Sequence, residues 1–193
     1  MSIHDHFSRD GVDVASLATY LDGLDDAARV GEVRKLSRRE QAPLFEASAG
    51  VRPVTLAGLV PADAPPLAEL IHYGRNSLPV FRIFEKRFCR PPSGLSELWG
   101  YNEHGLRWLT GPGYFVARQQ GPGEVLIDYL EVPTGKPDAW PPLKPNSAGG
   151  GRLVYFQTQD LLRGVSGHVC VGRASRRGRP MDNWFVLCRS GSR

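Results

Sequence analysis

Two side chains in this sequence could together move a proton. In the run from Glu124 to Val132, strand alternation puts Val125, Ile127 and Tyr129 on one face and Leu126, Asp128 and Leu130 on the other. Asp128 thus stands between two leucines, and a carboxylate on an apolar face must be paired, hydrogen-bonded or neutralised. Desolvation would raise its pKa toward the range useful for general acid–base work. His168 opens a second extended run with Cys170 and Gly172 on its face, and imidazole is the side chain most easily poised near neutral pH. Asp128 and His168 are therefore the candidate catalytic pair, suited to isomerisation, dehydration or hydrolysis. The plainer expectation pairs Asp128 with an arginine such as Arg118 or Arg173 and gives His168 a structural hydrogen bond.

Stronger chemical motifs are missing. Gly164-Val-Ser-Gly-His168 departs from the nucleophile elbow at its last position, so Ser166 is not expected to be a nucleophile. Gly111-Pro-Gly113 and Gly121-Pro-Gly123 lack the third glycine of a dinucleotide fingerprint and read as turns between strands, and no phosphate-binding G-x-x-x-x-G-K-[ST] occurs. Cys89, Cys170, Cys188, His72, His104 and His168 show no paired zinc spacing, and His4-Asp-His6 belongs to a terminus that frays. Neither a metal nor a cofactor is expected. A hairpin turning near Gly178 would bring Cys170 roughly opposite Cys188, as two small buried hydrophobes.

Binding is the better-supported class. Tyr101, Trp108, Tyr114, Tyr129, Tyr155 and Trp184 come from different runs, and aromatics with a polar handle serve pockets as readily as cores. Trp108, Tyr114, Tyr129 and Trp184 are expected to border a pocket for a small apolar or anionic organic molecule, with Arg118 and Arg173 at its rim. The formal net charge of +4 conceals an asymmetry. Residues 75–90 hold five basic side chains and one acidic, residues 163–193 seven and one, and the remainder is net acidic. Arg173, Arg176, Arg177 and Arg179 crowd one hairpin, which raises a third possibility, binding to nucleic acid, to a partner protein or to anionic headgroups. Nucleic acid is disfavoured, because no exposed aromatic string of the RNA-binding kind accompanies the arginines. Oligomeric state is not legible.

The elements that must hold these residues follow from periodicity. Leu17, Tyr20, Leu21 and Leu24 repeat at helical spacing, Asp25 can cap a second helix containing Ala28, Val33 and Leu36, and Ser37 with Glu40 forms a capping box. Pro43 is the objection to the third helix and Gly50 its plausible stop. Residues 1–50 are thus a helical segment packing on the body, and the prolines of 51–76 mark a connector. Residues 77–193 form a helix plus an antiparallel meander of ligand-binding type. The helix is placed at Ser77–Arg90, with Val80, Phe81, Phe84 and Phe88 on one face and Arg82, Lys86 and Arg90 striping the other.

Strands are expected at 98–103, 106–109, 114–118, 125–132, 153–157, 169–174 and 184–189, a mobile loop at 133–151 and a short helix at 160–165. The fold class is α+β, an antiparallel curved sheet or partly closed barrel packed on the Phe-rich helix. These parts are similar to those of helix-grip and lipocalin-like ligand barrels, at the level of architecture alone. No apolar run long enough to span a bilayer occurs, and the first residues lack the order of a signal peptide, so a cytoplasmic location is expected.

Overall fold

The structure, a computed structural model, describes residues 1–191, so the last two positions of the 77–193 unit lie outside the described residues. Its N-terminal segment folds as the periodicity predicts. Helix α1 (Val14–Asp22) is capped by Asp13, which accepts from the Ser16 amide at 3.0 Å, and α2 (Asp26–Lys35) by Asp25, which accepts from the Ala28 amide at 2.8 Å. Helix α3 (Arg38–Ala47) begins at the Ser37–Glu40 capping box and continues through Pro43. The backbone bond lost at that proline is outweighed by tertiary packing, since Leu44 and Phe45, the two residues that follow it, are buried.

The body is a closed antiparallel barrel. Two-residue strands β1 (Phe7–Ser8) and β2 (Gly11–Val12) pair beside the helices, and a single-turn helix α4 (Leu56–Leu59) lies in the connector. The barrel strands are β3 (Leu70–Asn76), β4 (Ile83–Cys89), β5 (Leu98–Glu103), β6 (Phe115–Gln120), β7 (Glu124–Asp128), β8 (Thr158–Gly164), β9 (Val169–Arg176) and β10 (Arg179–Arg189). Each pairs with its successor, and β10 closes on β3 with Leu187 opposite Gly74. Closure leaves no unpaired edge in this sheet.

Alternation sorts the side chains. Val125 and Ile127 on β7, Leu162 on β8, Cys170 on β9 and Leu187 on β10 fill the interior. Val54, Leu56, Leu59 and Val60 from the connector belong to the same core, and the Val54 amide donates to Gly123 O at 3.0 Å, so this segment stoppers the end where β6 turns into β7. Outside, Val169, Val171, Val186 and Cys188 meet Leu17, Leu21, Val33, Leu36 and Leu44 of the three helices. A second outer cluster joins Cys89, Trp99, Tyr101, Tyr114 and Val116 to Trp140 of the long β7–β8 connection. Full burial of an aliphatic or aromatic side chain is worth roughly 1.5–3 kcal/mol, which explains why short helices of low propensity hold against the wall.

The fold class is as the sequence predicts, but residues 70–76, assigned to the connector, are barrel strand β3, and four further elements differ. The proposed helix at 77–90 is a loop followed by strand β4, and the sheet wraps around its own side chains instead of around a helix. Phe84 and Phe88 are four apart, a spacing that satisfies both the helical period and the period of two. Asp160–Val165, expected helical, is mostly strand β8, for the same reason. Leu106–Leu109 and Leu153–Gln157, expected extended, are not strands: the first is overlapped by the single turn α5 (Arg107–Thr110), and the second begins in the end of the single turn α6 (Gly151–Val154). Cys170 stands opposite Leu187 and Cys188 opposite Val169, so one thiol points into the barrel and the other under the helices; all three cysteines are free.

Candidate functional site

Three cross-strand pairs shape the barrel interior near its open end. Gly74 faces Phe84, Gly100 faces Phe115 and Gly172 faces Phe185. In each pair the phenyl ring lies over the glycine, so that a Cβ would meet it at 2.5, 2.3 and 2.3 Å respectively. The three rings thereby turn inward around the middle of β4. Lys86 occupies that centre, with its Nζ 4.9 Å from the Phe185 ring centroid, 5.2 Å from Phe115 and 5.7 Å from Phe84, and the Tyr129 ring completes the cage at 5.1 Å.

The ammonium is also fully hydrogen-bonded. Lys86 Nζ donates to Asn102 Oδ1 at 2.9 Å, to Asp160 Oδ2 at 3.1 Å and to the Tyr129 hydroxyl. Tyr129 donates in turn to Asp160 Oδ2 at 3.1 Å, and Asn102 Nδ2 donates to Tyr129 at 3.2 Å and to Gly113 O at 3.0 Å. Lys86, Asn102, Tyr129 and Asp160 are all buried. Burial lowers the Lys86 pKa, opposed by Asp160, and burial with the Asp160 charge pushes the Tyr129 phenol well up. Both bonds to the Asp160 carboxylate fall on Oδ2, and Oδ1 accepts none among the described residues.

This quartet forms the floor of a cavity of about 100 Å³. Its walls are Phe84, Phe185, Tyr155, Val154, Ala174 and Met181, and its mouth is bordered by Asn76, Leu78, Phe81, His104 and Asn183. Tyr155 stacks on Tyr129 at 5.4 Å and its hydroxyl lies 3.0 Å from His104 Nε2, which is also 3.2 Å from Thr110 Oγ1. Burial lowers the His104 pKa. Phe81 packs edge-on against His104 at 4.9 Å and holds a left-handed backbone at φ 56°, a conformation that costs a non-glycine residue about 1–3 kcal/mol. Lys86 and Asp160 together carry no net charge, so the cavity offers an apolar wall, a neutral polar floor and one free carboxylate oxygen.

Of the residues placed at the pocket, its rim or the catalytic pair from sequence, Tyr129 alone lines this cavity, joined by Tyr155 from the wider aromatic set. Tyr114 is buried outside the barrel against Tyr101 and Trp140, and its hydroxyl donates to Pro141 O at 2.5 Å. Trp108 projects from α5 and is 80% exposed. Trp184 packs on the outer wall beneath the helices with the Arg173 guanidinium 5.3 Å from its ring, and Arg173 reaches Glu46 at 3.5 Å. Arg118 is held by Glu97 and Glu131, both at 2.8 Å, on the outside.

Asp128 and His168 are not brought together. Asp128 pairs with Gln159 at the open end of β8, accepting from Gln159 Nε2 at 2.9 Å and the Leu130 amide at 2.8 Å. His168 follows the far end of that strand, beyond about 17 Å of chain at roughly 3.3 Å per residue. The pairing of Asp128 with an arginine is likewise replaced by these two neutral donors. Burial, then Arg29 and Arg189, lower the His168 pKa.

Sequence reasoning missed Lys86, Asn102 and Asp160. The signal was present as alternation: Phe84, Lys86, Phe88 on one run and Thr158, Asp160, Leu162, Gly164 on another each put a polar residue among interior ones. The fold and the site define a closed antiparallel barrel with an open mouth and a polar floor. No protein-family profile matches the chain, and no curated protein sequence matches it either.

Proposed function

We propose that the barrel binds a small uncharged organic molecule, a single ring or short chain bearing one hydrogen-bond donor, in the cavity above Lys86. The observation that carries this reading is the unclaimed Asp160 Oδ1 at the floor of an aromatic-walled cavity. That oxygen opens onto the cavity, where a ligand hydroxyl or amine can donate to it. The neutral Lys86–Asp160 pair and the outward position of Arg118 and Arg173 argue against an anionic ligand. The volume sets a small ligand: about 150 Å³ takes up a benzene ring and this cavity is about 100 Å³, so a bound ring would reach into the open mouth.

Benzyl alcohol, toluene and benzoate, matched in ring size, separate these properties. In a methyl-labelled NMR titration, benzyl alcohol shifts the Val154 and Ala174 methyl signals saturably, toluene binds about tenfold more weakly for want of one hydrogen bond, and benzoate does not bind. Ala174→Phe, which fills the cavity, abolishes the shifts while the circular dichroism stays that of the parent. Absence of saturable shifts with all three compounds would refute the reading, as would preference for benzoate.

A further inference from the structure

The open end of the barrel differs from the rest of the molecule in both charge and polarity. Its rim is made from residues 77–82, 104–114 and 176–180, at the β3–β4, β5–β6 and β9–β10 links, and from 143–157, the second half of the β7–β8 link, whose first half carries Glu131 and Asp138. These segments hold seven Arg and Lys and no Asp or Glu. Arg82, Lys144, Arg152, Arg177 and Arg179 among them are exposed. Between the cations stand exposed apolar tips, with Trp108 80% and Leu153 79% exposed and Leu109, Val80 and Leu106 also open to solvent.

The rim is continuous. Phe81 touches His104, a Cβ on Gly150 would meet Leu109 O at 2.3 Å, and Arg176 Nη2 donates to Leu153 O at 2.9 Å. Neighbouring loops are therefore held against one another, and the tips share one end of a rigid barrel.

We propose that this rim docks on an anionic lipid surface, with the arginines and Lys144 at the phosphates and Trp108 and Leu153 inserted among the headgroups and upper acyl chains. An indole at the level of the headgroups is the usual interfacial anchor, and cations ringing it draw the surface to anionic lipid. A second protein would present a matching apolar recess and acidic groups. A polynucleotide would use a row of exposed aromatics, whereas among the described residues this rim exposes a single one, Trp108. The docking depends on the rim alone, so it stands or falls separately from occupancy of the cavity.

Trp108 supplies the readout, because Trp99 and Trp140 are buried and Trp184 is half-buried. The full chain is mixed with phosphatidylcholine vesicles, with or without about one quarter phosphatidylserine, and followed by co-sedimentation and tryptophan emission. It sediments with the anionic vesicles and its emission shifts to the blue. Arg177→Gln with Arg179→Gln weakens binding roughly twenty-five-fold, at about fivefold per cation. Trp108→Ser with Leu153→Ser removes the blue shift and leaves only binding that 0.5 M salt, at a Debye length of about 4 Å, abolishes. Ala174→Phe leaves all of this unchanged. The proposal is overturned if the parent does not sediment with anionic vesicles, if both rim variants bind as the parent does, or if the chain binds a single-stranded oligonucleotide while its emission ignores the vesicles.

Discussion

Replacing Lys86 by methionine is expected to lower the unfolding free energy by about 3–5 kcal/mol, the usual effect of stranding one charge of a buried pair. Asp160 would then lie in the barrel facing three aromatic rings, with Tyr129 as its remaining donor. Asp160→Leu alone is expected to do comparable damage, since it leaves the ammonium with Asn102 and Tyr129 but no counter-charge. Lys86→Met combined with Asp160→Leu recovers most of the loss. Tyr129 keeps Asn102 Oδ1 as an acceptor at 3.4 Å, and the apolar side chains suit the Phe84, Phe115 and Phe185 walls. Denaturant unfolding of the four proteins gives the coupling directly. A Lys86→Met loss below about 1 kcal/mol, the range of a solvated surface pair, would mean that the ammonium is not held in the barrel as described.

The second large effect lies at the closed side of the same interior. His72 on β3 is directly opposite Lys86 on β4, is buried, and has no hydrogen-bond partner on either ring nitrogen. Its ring packs on Phe88 at 4.6 Å. Burial, with Arg189 nearby, depresses its pKa from 6.5 to about 3. The unfolded chain therefore takes up a proton below pH 6.5 that the folded chain refuses until about pH 3. In that window the unfolded state binds more protons, so stability falls with falling pH, by about 1.4 kcal/mol per unit from this residue. His72→Leu removes that part of the slope and two orphaned nitrogens with it. The variant should gain on the parent by roughly 3 kcal/mol between pH 7 and pH 4. Parallel stability curves for the two proteins over that range would show that His72 is solvated or protonated in the fold.

Much of the scaffold is legible in the residues. Asp13, Asp25 and the Ser37–Glu40 box announce their helices because capping is local chemistry. Strand β5 at 98–103 is likewise readable from composition and the turn residues that follow it. Strand β4 is not, because phenylalanines four apart fit two periods and only the neighbouring strands decide between them. Once β4 is read as a helix, Lys86 becomes part of a solvated basic stripe, and the centre of the interior disappears from view. The glycines are the complementary sign. Gly74, Gly100 and Gly172 look like strand breakers, yet each leaves room for the ring across from it, a relation between residues 10 to 15 apart that no local window registers. Residue type marks an aromatic with a polar handle as suited to a pocket, and type does not distinguish the inner wall of a barrel from its outer one. Tyr129 faces the interior and Tyr114 the outer cluster, although the two are alike in type.

Whether the cavity above Lys86 is a ligand site is tested most directly by native mass spectrometry of the chain purified from its own host, run beside Ala174→Phe prepared identically. The parent should carry an added mass of a small organic molecule, released on denaturation, and the filled variant should carry none. An identical bare mass for both proteins, or one adduct shared equally by both, would place any ligand elsewhere and leave the cavity as a packing feature of the barrel.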